Sequence, residues 1–369
     1  MNYVIPCLLG LERPIADELD TIGAQNIACE NGRVLFSGGE DILAAVNIRS
    51  RYAERVLILI GEFEAHTFDE LFEGTKALPW EEFIDKKAAF PVKGYSLNSD
   101  LFSVRDCQAI IKKAIADRLS GRYKVPWLEE TGALHQVQFA LMKNRASLMI
   151  DTSGAGLHKR GYRPVANAAP IKETLAASLC YFSRLKHYHT LYDPMCGSGT
   201  IVIEGALYAL NRAPGLNRSF AAEQWLQTDG KIWTRQRELA RSLERTDIDF
   251  KAVGSDIDEN ALKIAEENAR RAGVSHLVSF VRADAKNFDN SAPNGTVITN
   301  PPYGERLSDL QSAERLYRDL GRVFTRRHGW SYSVITADED FEKHFGRRAD
   351  KRRKLYNGMI KTQVYMYYK

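Results

Sequence analysis

A chain of 369 residues that is 44% hydrophobic and 27% charged has a globular composition with room for about two or three domains. Its formal charge of +4, from 51 basic against 47 acidic residues, identifies no partner, so only local clustering can do that. The longest aliphatic run, residues 56–60, is far short of the roughly 20 residues of a membrane helix. The start, Met1-Asn2-Tyr3-Val4-Ile5-Pro6-Cys7, lacks the basic region of a signal peptide, so a cytoplasmic protein without a membrane partner is expected. Cysteines 7, 29, 107, 180 and 196 show no paired spacing and are expected as free thiols. No Cys or His pair stands at zinc-site spacing, and no metal is expected.

Residues 1–60 read as a small α/β unit. Tyr3-Val4-Ile5 resembles a strand, and Leu11, Ile15 and Leu19 stand at helical spacing within residues 11–22. A strand at 33–37 follows the Asn31-Gly32 turn; a helix over 41–55 and a strand over 56–60 complete the unit. Residues 61–155 read as a second unit. Helical stretches at 68–72 and 80–84 are broken by Pro79, a strand is expected at 88–92, and Ala109, Ile110, Ala114 and Ile115 give residues 103–119 an apolar helical face. Strands at 135–141 and 146–150 surround Lys143-Asn144-Arg145. Residues 156–168, with His158, Lys159, Arg160, Gly161, Arg163 and Pro164, form a basic boundary. It is either a solvated linker or a set of phosphate contacts, because clustered cations give sequence-independent affinity for nucleic acid.

The third unit, 169–369, opens with a helix near Pro170 and then alternates strands and helices. Strands at 191–194, 252–258, 278–284, 296–299 and 331–336 predict an α/β, doubly wound, mostly parallel sheet. Asp193, Asp256, Asp284 and Asn300 all fall at strand carboxyl ends, where such sheets bind ligands. After the first strand, Pro194-Met195-Cys196-Gly197-Ser198-Gly199-Thr200 turns through two glycines into an apolar helix, a turn that lets backbone N–H groups approach a ligand. A dinucleotide fingerprint needs a third glycine after Gly197 and Gly199, and a P-loop needs Gly-Lys-Ser/Thr; neither is present. Asn357-Gly358 between two strand-like runs predicts a terminal hairpin. Asn300-Pro301-Pro302-Tyr303 offers two acceptors, the Asn300 side-chain oxygen and the Pro301 carbonyl, to the two N–H groups of an exocyclic base amine, while Tyr303 offers a stacking face. Cys196, next to the glycine turn, reads as packing rather than as a nucleophile.

Phe90-Pro91-Val92-Lys93-Gly94, the helix with Lys112-Lys113-Ala114-Ile115, and Asp151-Thr152-Ser153-Gly154 resemble a THUMP domain, a family that binds structured RNA. The region before it is expected to be ferredoxin-like α+β. Residues 169–369 resemble the amino-methylating branch of class I S-adenosylmethionine-dependent methyltransferases, with a Rossmann-like sheet closed by the hairpin. The resemblance implies S-adenosylmethionine held by Asp193, Pro194, Cys196, Gly197, Ser198, Gly199 and Thr200, by Asp256 (ribose hydroxyls) and Ile257, by Asp284 (adenine amine) and Ala285, and by Asn300. The whole arrangement is similar to the bacterial large-subunit ribosomal RNA guanine-N2 methyltransferases, as the N-terminal half of the fused two-headed enzyme. That resemblance implies 23S rRNA, or a pre-ribosomal large-subunit particle, as partner. A tRNA guanine-N2 enzyme, a DNA adenine-N6 enzyme and a non-catalytic assembly factor remain as alternatives. Arg315, Arg318, Arg322 and Arg326 form one helical stripe, of which Arg318 and Arg322 are the candidate phosphate contacts. Residues 211–250, with Trp225 and Trp233, are either a substrate-facing insertion or a cover for the sheet.

Overall fold

The computed structural model describes residues 1–163, 171–303, 307–358 and 360–368. Pro164 of the basic boundary and Pro170 at the expected helix start lie outside the described residues. No helix among the described residues is long and apolar enough to cross a membrane.

The amino-terminal region comprises β1 (Asn2–Pro6), α1 (Glu12–Ile22), β2 (Gln25–Glu30), β3 (Arg33–Ser37), α2 (Glu40–Arg49), β4 (Leu57–Glu64), α3 (Phe68–Ala77), β5 (Val92–Leu97), α4 (Val104–Tyr123), β6 (Val137–Met142) and β7 (Arg145–Asp151). One seven-stranded sheet, ordered β2-β3-β1-β4-β7-β6-β5, joins the two expected units, because β4 pairs with β1 on one side and β7 on the other. β4 therefore runs through residue 60, where the sequence suggests a boundary. β2 escapes the sequence reading because five of its six residues are exposed and no apolar alternation marks it. The helix at 68 continues to Ala77 from a Thr67–Glu70 capping box. Residues 80–82 make only a short 3₁₀ turn. The strand expected at 88–92 instead begins at Val92; before it Ala89 makes a single bridge to Leu134.

The carboxy-terminal region comprises α5 (Glu173–Phe182), β8 (Thr190–Asp193), α6 (Thr200–Ala209), α7 (Gly230–Ser242), β9 (Lys251–Asp256), α8 (Glu259–Ala272), β10 (Val278–Arg282), β11 (Gly295–Thr299), α9 (Leu307–Val323), β12 (Trp330–Thr336), α10 (Phe341–Phe345), β13 (Lys351–Asn357) and β14 (Ile360–Tyr368). Its sheet is ordered β10-β9-β8-β11-β12-β14-β13. β8 to β12 run parallel, and β14 is antiparallel to both β12 and β13, which makes the expected terminal hairpin. Strand order reverses between β8 and β11, so the crevice beyond their carboxyl ends is the topological switch point. α6 is apolar on every side because it is covered all round: Ile201, Val202, Ile203, Ala206 and Ala209 are at most 2% exposed. Each of its buried Ile and Val side chains contributes about 1.5–3 kcal/mol.

The segment 211–250 is a cover that fastens the two regions together. Gly215 N–H donates to Ile48 O (2.8 Å), Ala222 N–H to Thr152 O (3.0 Å), and Trp225 Nε1 to Leu134 O (3.0 Å). Trp225 also stacks on His135 at 4.4 Å, and Trp233 on Phe220 at 5.2 Å. With both indoles buried, neither faces a substrate.

Candidate active site

The loop after β8 is shaped by its glycines. Gly197 has φ +51°, and a Cβ there would meet nothing within 4 Å, so this side of the turn is open to a ligand. Gly199 has φ +79°, and a Cβ would stand 3.0 Å from Ala265 and Phe280, so α6 sits close against its neighbours. The neighbouring strand locks the turn: Cys196 N–H donates to Ser255 O (2.9 Å), and Gly197 N–H donates to Asp256 Oδ2 (2.9 Å). Asn268 of α8 donates to Ser198 O (3.0 Å). Gly199 caps α6 without a side-chain bond, leaving amide N–H groups aimed at the crevice.

Above this turn lies a cleft of about 790 Å³. Of the expected cofactor residues, Pro194, Asp256, Ile257, Asp284, Ala285 and Asn300 line it, together with the whole Asn300-Pro301-Pro302-Tyr303 loop. Ile257 is 67% exposed, an apolar side chain presented on the cleft wall between carboxylates. Asp256 Oδ1 accepts from Asp258 N–H (3.0 Å), and Asp284 Oδ1 from Lys286 N–H (3.0 Å), so each carboxylate is held by its own backbone with acceptor capacity to spare. Asp193, Cys196, Ser198 and Thr200 sit behind the wall, each at most 7% exposed. Burial pushes the Cys196 thiol well above its usual range, as do the carboxylates of Asp193 and Asp256, which suits packing and not nucleophilic attack.

Asp193 acts from beneath. Its Oδ1 accepts from Thr299 Oγ1 (2.8 Å) and Met195 N–H (3.3 Å), tying the glycine turn to the strand that carries Asn300. Burial pushes its carboxyl up to about 7, and Asp256 adds to the rise. A raised carboxyl holds its proton more tightly folded than unfolded. That stabilisation is complete below the unfolded value of 3.8 and is lost as pH climbs to about 7. Asp193→Asn, which does not titrate, should therefore gain on the wild type over that window and plateau above it, by a few kcal/mol in order of magnitude. Denaturant midpoints at pH 5 and pH 8 measure this; a pH-independent difference would show that Asp193 titrates normally.

In the acceptor loop, Tyr303 Oη donates to Asn300 Oδ1 (2.6 Å) and accepts from Asn357 Nδ2 (3.4 Å). Burial pushes the Tyr303 phenol up to about 12, so it stays a donor at neutral pH. Tyr317 of α9, 1% exposed, donates to Pro302 O at 2.9 Å and lies 2.9 Å from Thr336 Oγ1 at the end of β12. Asn357, Tyr317 and Thr336 are not among the site residues expected from sequence. Asn357 stands there only as a turn residue and Thr336 only as a strand end, and Tyr317 is buried on α9 with Leu320 and Phe324.

The basic residues divide. Arg160, expected at phosphate, is a correction: its side chain is 2% exposed, lies 3.6 Å from the buried Glu204, and donates to the carbonyls of Leu157 and Arg51. Arg163 is another, donating to Ile171 O (3.0 Å), Thr200 Oγ1 (2.9 Å) and Glu173 Oε2 (3.1 Å). A buried guanidinium needs fixed internal acceptors; Arg163 has three and Arg160 has two, with the Arg160 Nε beside Glu204 but without a hydrogen bond among the described residues. His158 faces Glu54 at 2.9 Å and is only partly accessible. Burial pushes Glu54 up, but hydrogen bonds from His158 and Thr174 outweigh it and bring the carboxyl to about 2. Lys159 is exposed. Arg318 and Arg322 are 47% and 78% exposed and pair on their own helix with Glu314 and Asp319, both at 3.1 Å.

The switch-point cleft, glycine turn and terminal hairpin define a methyltransferase. Residues 160–366 match the RMKL-like methyltransferase domain, residues 2–57 the RlmL ferredoxin-like domain and residues 65–151 the THUMP domain; the chain belongs to the RMKL-like methyltransferase family. A Bacillus subtilis (strain 168) protein provisionally named RNA methyltransferase YpsC is 42% identical over 98% of this chain and 94% of its own. The ribosomal RNA large subunit methyltransferase K/L of Psychromonas ingrahamii (strain DSM 17664 / CCUG 51855 / 37) is 35% identical over 100% of this chain, which spans 50% of that longer enzyme. Among solved structures, SMU.472, provisionally assigned as a methyltransferase and complexed with SAH, superposes with a TM-score of 0.94 at 41% identity, covering 100% of this chain and 97% of that one. A Listeria monocytogenes str. 4b F2365 protein described as a predicted N6-adenine-specific DNA methylase superposes with a TM-score of 0.93 at 44% identity, covering 100% and 96%.

Proposed function

We propose that the protein transfers the methyl group of S-adenosylmethionine to the exocyclic N2 amine of a guanosine in RNA, with large-subunit ribosomal RNA as the substrate. The observation that carries this reading is that Asn300 lines the same cleft as Asp256 and Asp284, with its side-chain oxygen bonded to the Tyr303 hydroxyl. The methyl donor supplies an electrophilic carbon on a sulfonium. Asp256 accepts from its ribose hydroxyls, Asp284 from its adenine amine, Ile257 packs against the adenine ring, and the open side of Gly197 admits the amino acid end.

The acceptor amine is a poor nucleophile because its lone pair is delocalised into the base. Asn300 Oδ1 and Pro301 O take its two N–H groups, which turns the lone pair towards the methyl carbon. To do so the amine replaces the Tyr303 hydroxyl now bonded to Asn300, and the Tyr303 ring serves as the stacking face for the extruded base. Tyr317 positions the loop through Pro302 O. Catalysis is positioning and electrostatics, without a covalent intermediate.

RNA is favoured over DNA by the THUMP domain preceding the site and by the ribosomal RNA enzymes among the relatives. Label transfer to unmodified large-subunit rRNA, compared with bulk tRNA and duplex DNA, tests this choice. Selective labelling of rRNA is expected; preferential labelling of tRNA or DNA would overturn it. With Arg160 and Arg163 occupied inside, Lys159, Arg318 and Arg322 remain as phosphate contacts. Reversing Arg318 and Arg322 to Glu should raise the apparent KM for RNA about tenfold at low salt and flatten its salt dependence by about one unit of log–log slope per lost contact. An unchanged KM would leave the stripe a solvated face.

A further inference from the structure

A second large cavity, of about 670 Å³, lies at the seam between the amino-terminal region and the methyltransferase domain. It is at the far end of the sheet from the active site. Leu185, Lys186, His187 and Tyr188 on its wall precede β8, whose other end carries Asp193. Tyr208 lies near the carboxyl end of α6, about 12 Å along the helix from the glycine turn. The volume falls within the roughly 300–1,000 Å³ of small-molecule sites.

Its charges are unbalanced. Four cations, Arg49, Arg51, Lys186 and Arg245, line it against two acids, Asp17 and Glu18. Both acids are already engaged: Asp17 accepts from Tyr181 Oη and pairs with Arg13, while Glu18 accepts from Ser50 Oγ and Arg51 N–H. Arg51 donates to Asn211 Oδ1 and Arg212 O, and Arg245 to Ala209 O. Arg49 is different. Half-buried at the end of α2, it has no hydrogen bond or ion pair among the described residues, and burial together with Arg51 lowers its pKa. Glu18 opposes that lowering but is shared with Ser50 and Arg51, and an anion beside a partly desolvated cation that no group hydrogen-bonds removes the remaining cost.

Tyr52, Tyr181, Tyr188 and Tyr208 stand among aliphatic residues on the remaining walls. Tyr52 is 3% exposed and meets Tyr181 edge-on, whereas Tyr208 is partly accessible, its hydroxyl takes no hydrogen bond among the described residues, and Arg51 lies 5.9 Å from its ring centre. Tyr188, 60% exposed, stands at the mouth. Arginine together with aromatic faces holds the phosphate and ring of a nucleotide. We propose that this seam cavity is a second binding site, for a phosphorylated nucleoside, with Arg49 as the phosphate ligand and Tyr188 and Tyr208 facing the sugar and ring. The nucleotide is either free or one unit of an RNA strand. The site stands whatever the methyl acceptor is.

Isothermal titration of the full-length protein tests this with four probes: UMP, uridine, inorganic phosphate and a uridine pentanucleotide. A pyrimidine is chosen so that the adenine-binding cleft is not read instead. UMP is expected to bind saturably, with uridine and inorganic phosphate each about tenfold weaker or more. Arg49→Gln should weaken UMP about tenfold or more while leaving S-adenosylmethionine affinity unchanged. Lys186→Gln at the exposed mouth gives a second variant with a smaller loss in the same direction. Pentanucleotide binding tighter than UMP, with the same Arg49 dependence, assigns the site to RNA; weaker binding assigns it to a free nucleotide. Absence of saturable UMP binding, equal affinity in Arg49→Gln, or phosphate binding as tight as UMP would each overturn the proposal.

Discussion

Asn300→Ala is expected to lower turnover by about three orders of magnitude while changing the S-adenosylmethionine dissociation constant less than about threefold. The separation follows from position. The cofactor-facing carboxylates belong to β9 and the loop after β10, and Asn300 follows β11, so truncating it leaves the cofactor wall intact. What disappears is the acceptor that orients the amine in the transition state. Tyr303 gives an internal control. Its hydroxyl bonds Asn300, while in the proposed function its ring is the stacking face. Tyr303→Phe should therefore keep most of the activity and Tyr303→Ala lose most of it. Single-turnover methyl transfer together with calorimetric cofactor binding measures all three variants. Equal loss of binding and turnover in Asn300→Ala would move that residue from the acceptor side to the cofactor side.

Arg160→Ala is expected to destabilise the protein by about 3–5 kcal/mol, because it strands a buried carboxylate. Glu204 is 2% exposed, and without Arg160 it keeps, among the described residues, the hydrogen bond from Tyr162 Oη (3.0 Å). Burial already raises the Glu204 carboxyl, and Arg160 opposes the rise together with the Tyr162 hydrogen bond. Arg160 also holds the carbonyls of Leu157 and Arg51, so its loss loosens the join between the two regions. Glu204→Gln added to Arg160→Ala should recover much of the loss, because a neutral amide does not need a cation. Denaturant unfolding of the single and double variants gives the comparison. Unchanged stability with weakened RNA affinity would return Arg160 to the phosphate-binding role that its sequence context suggests.

Much of this molecule is legible before folding. The mostly parallel sheet, the strand-end acids and the hairpin follow from the alternation of strand-like and helix-like runs and from Asn357-Gly358. What is lost is whatever depends on where a charge ends up. Lys159, Arg160 and Arg163 read alike as a basic boundary, yet one is exposed and two are consumed by Glu204, Glu173 and main-chain carbonyls. β2 is hidden for the opposite reason: its pairing with β3 is specified by the backbone while its side chains face solvent. Asp193 shows a third kind of gap. A strand-end carboxylate is legible in sequence, but the hydrogen bonds from Thr299 and Met195 that hold it under the loop, where it braces the turn, are not. Trp225 and Trp233 could not be assigned from sequence because their partners, His135 and Phe220, lie 90 and 13 residues away.

The central claim is that the Asn300 loop presents the N2 amine of guanine to the methyl donor. Mass-spectrometric analysis of nucleosides from RNA methylated in vitro by the purified protein tests it most directly. N2-methylguanosine is the expected product, absent when Asn300→Ala replaces the wild type. N6-methyladenosine or a carbon-methylated base in its place would contradict it.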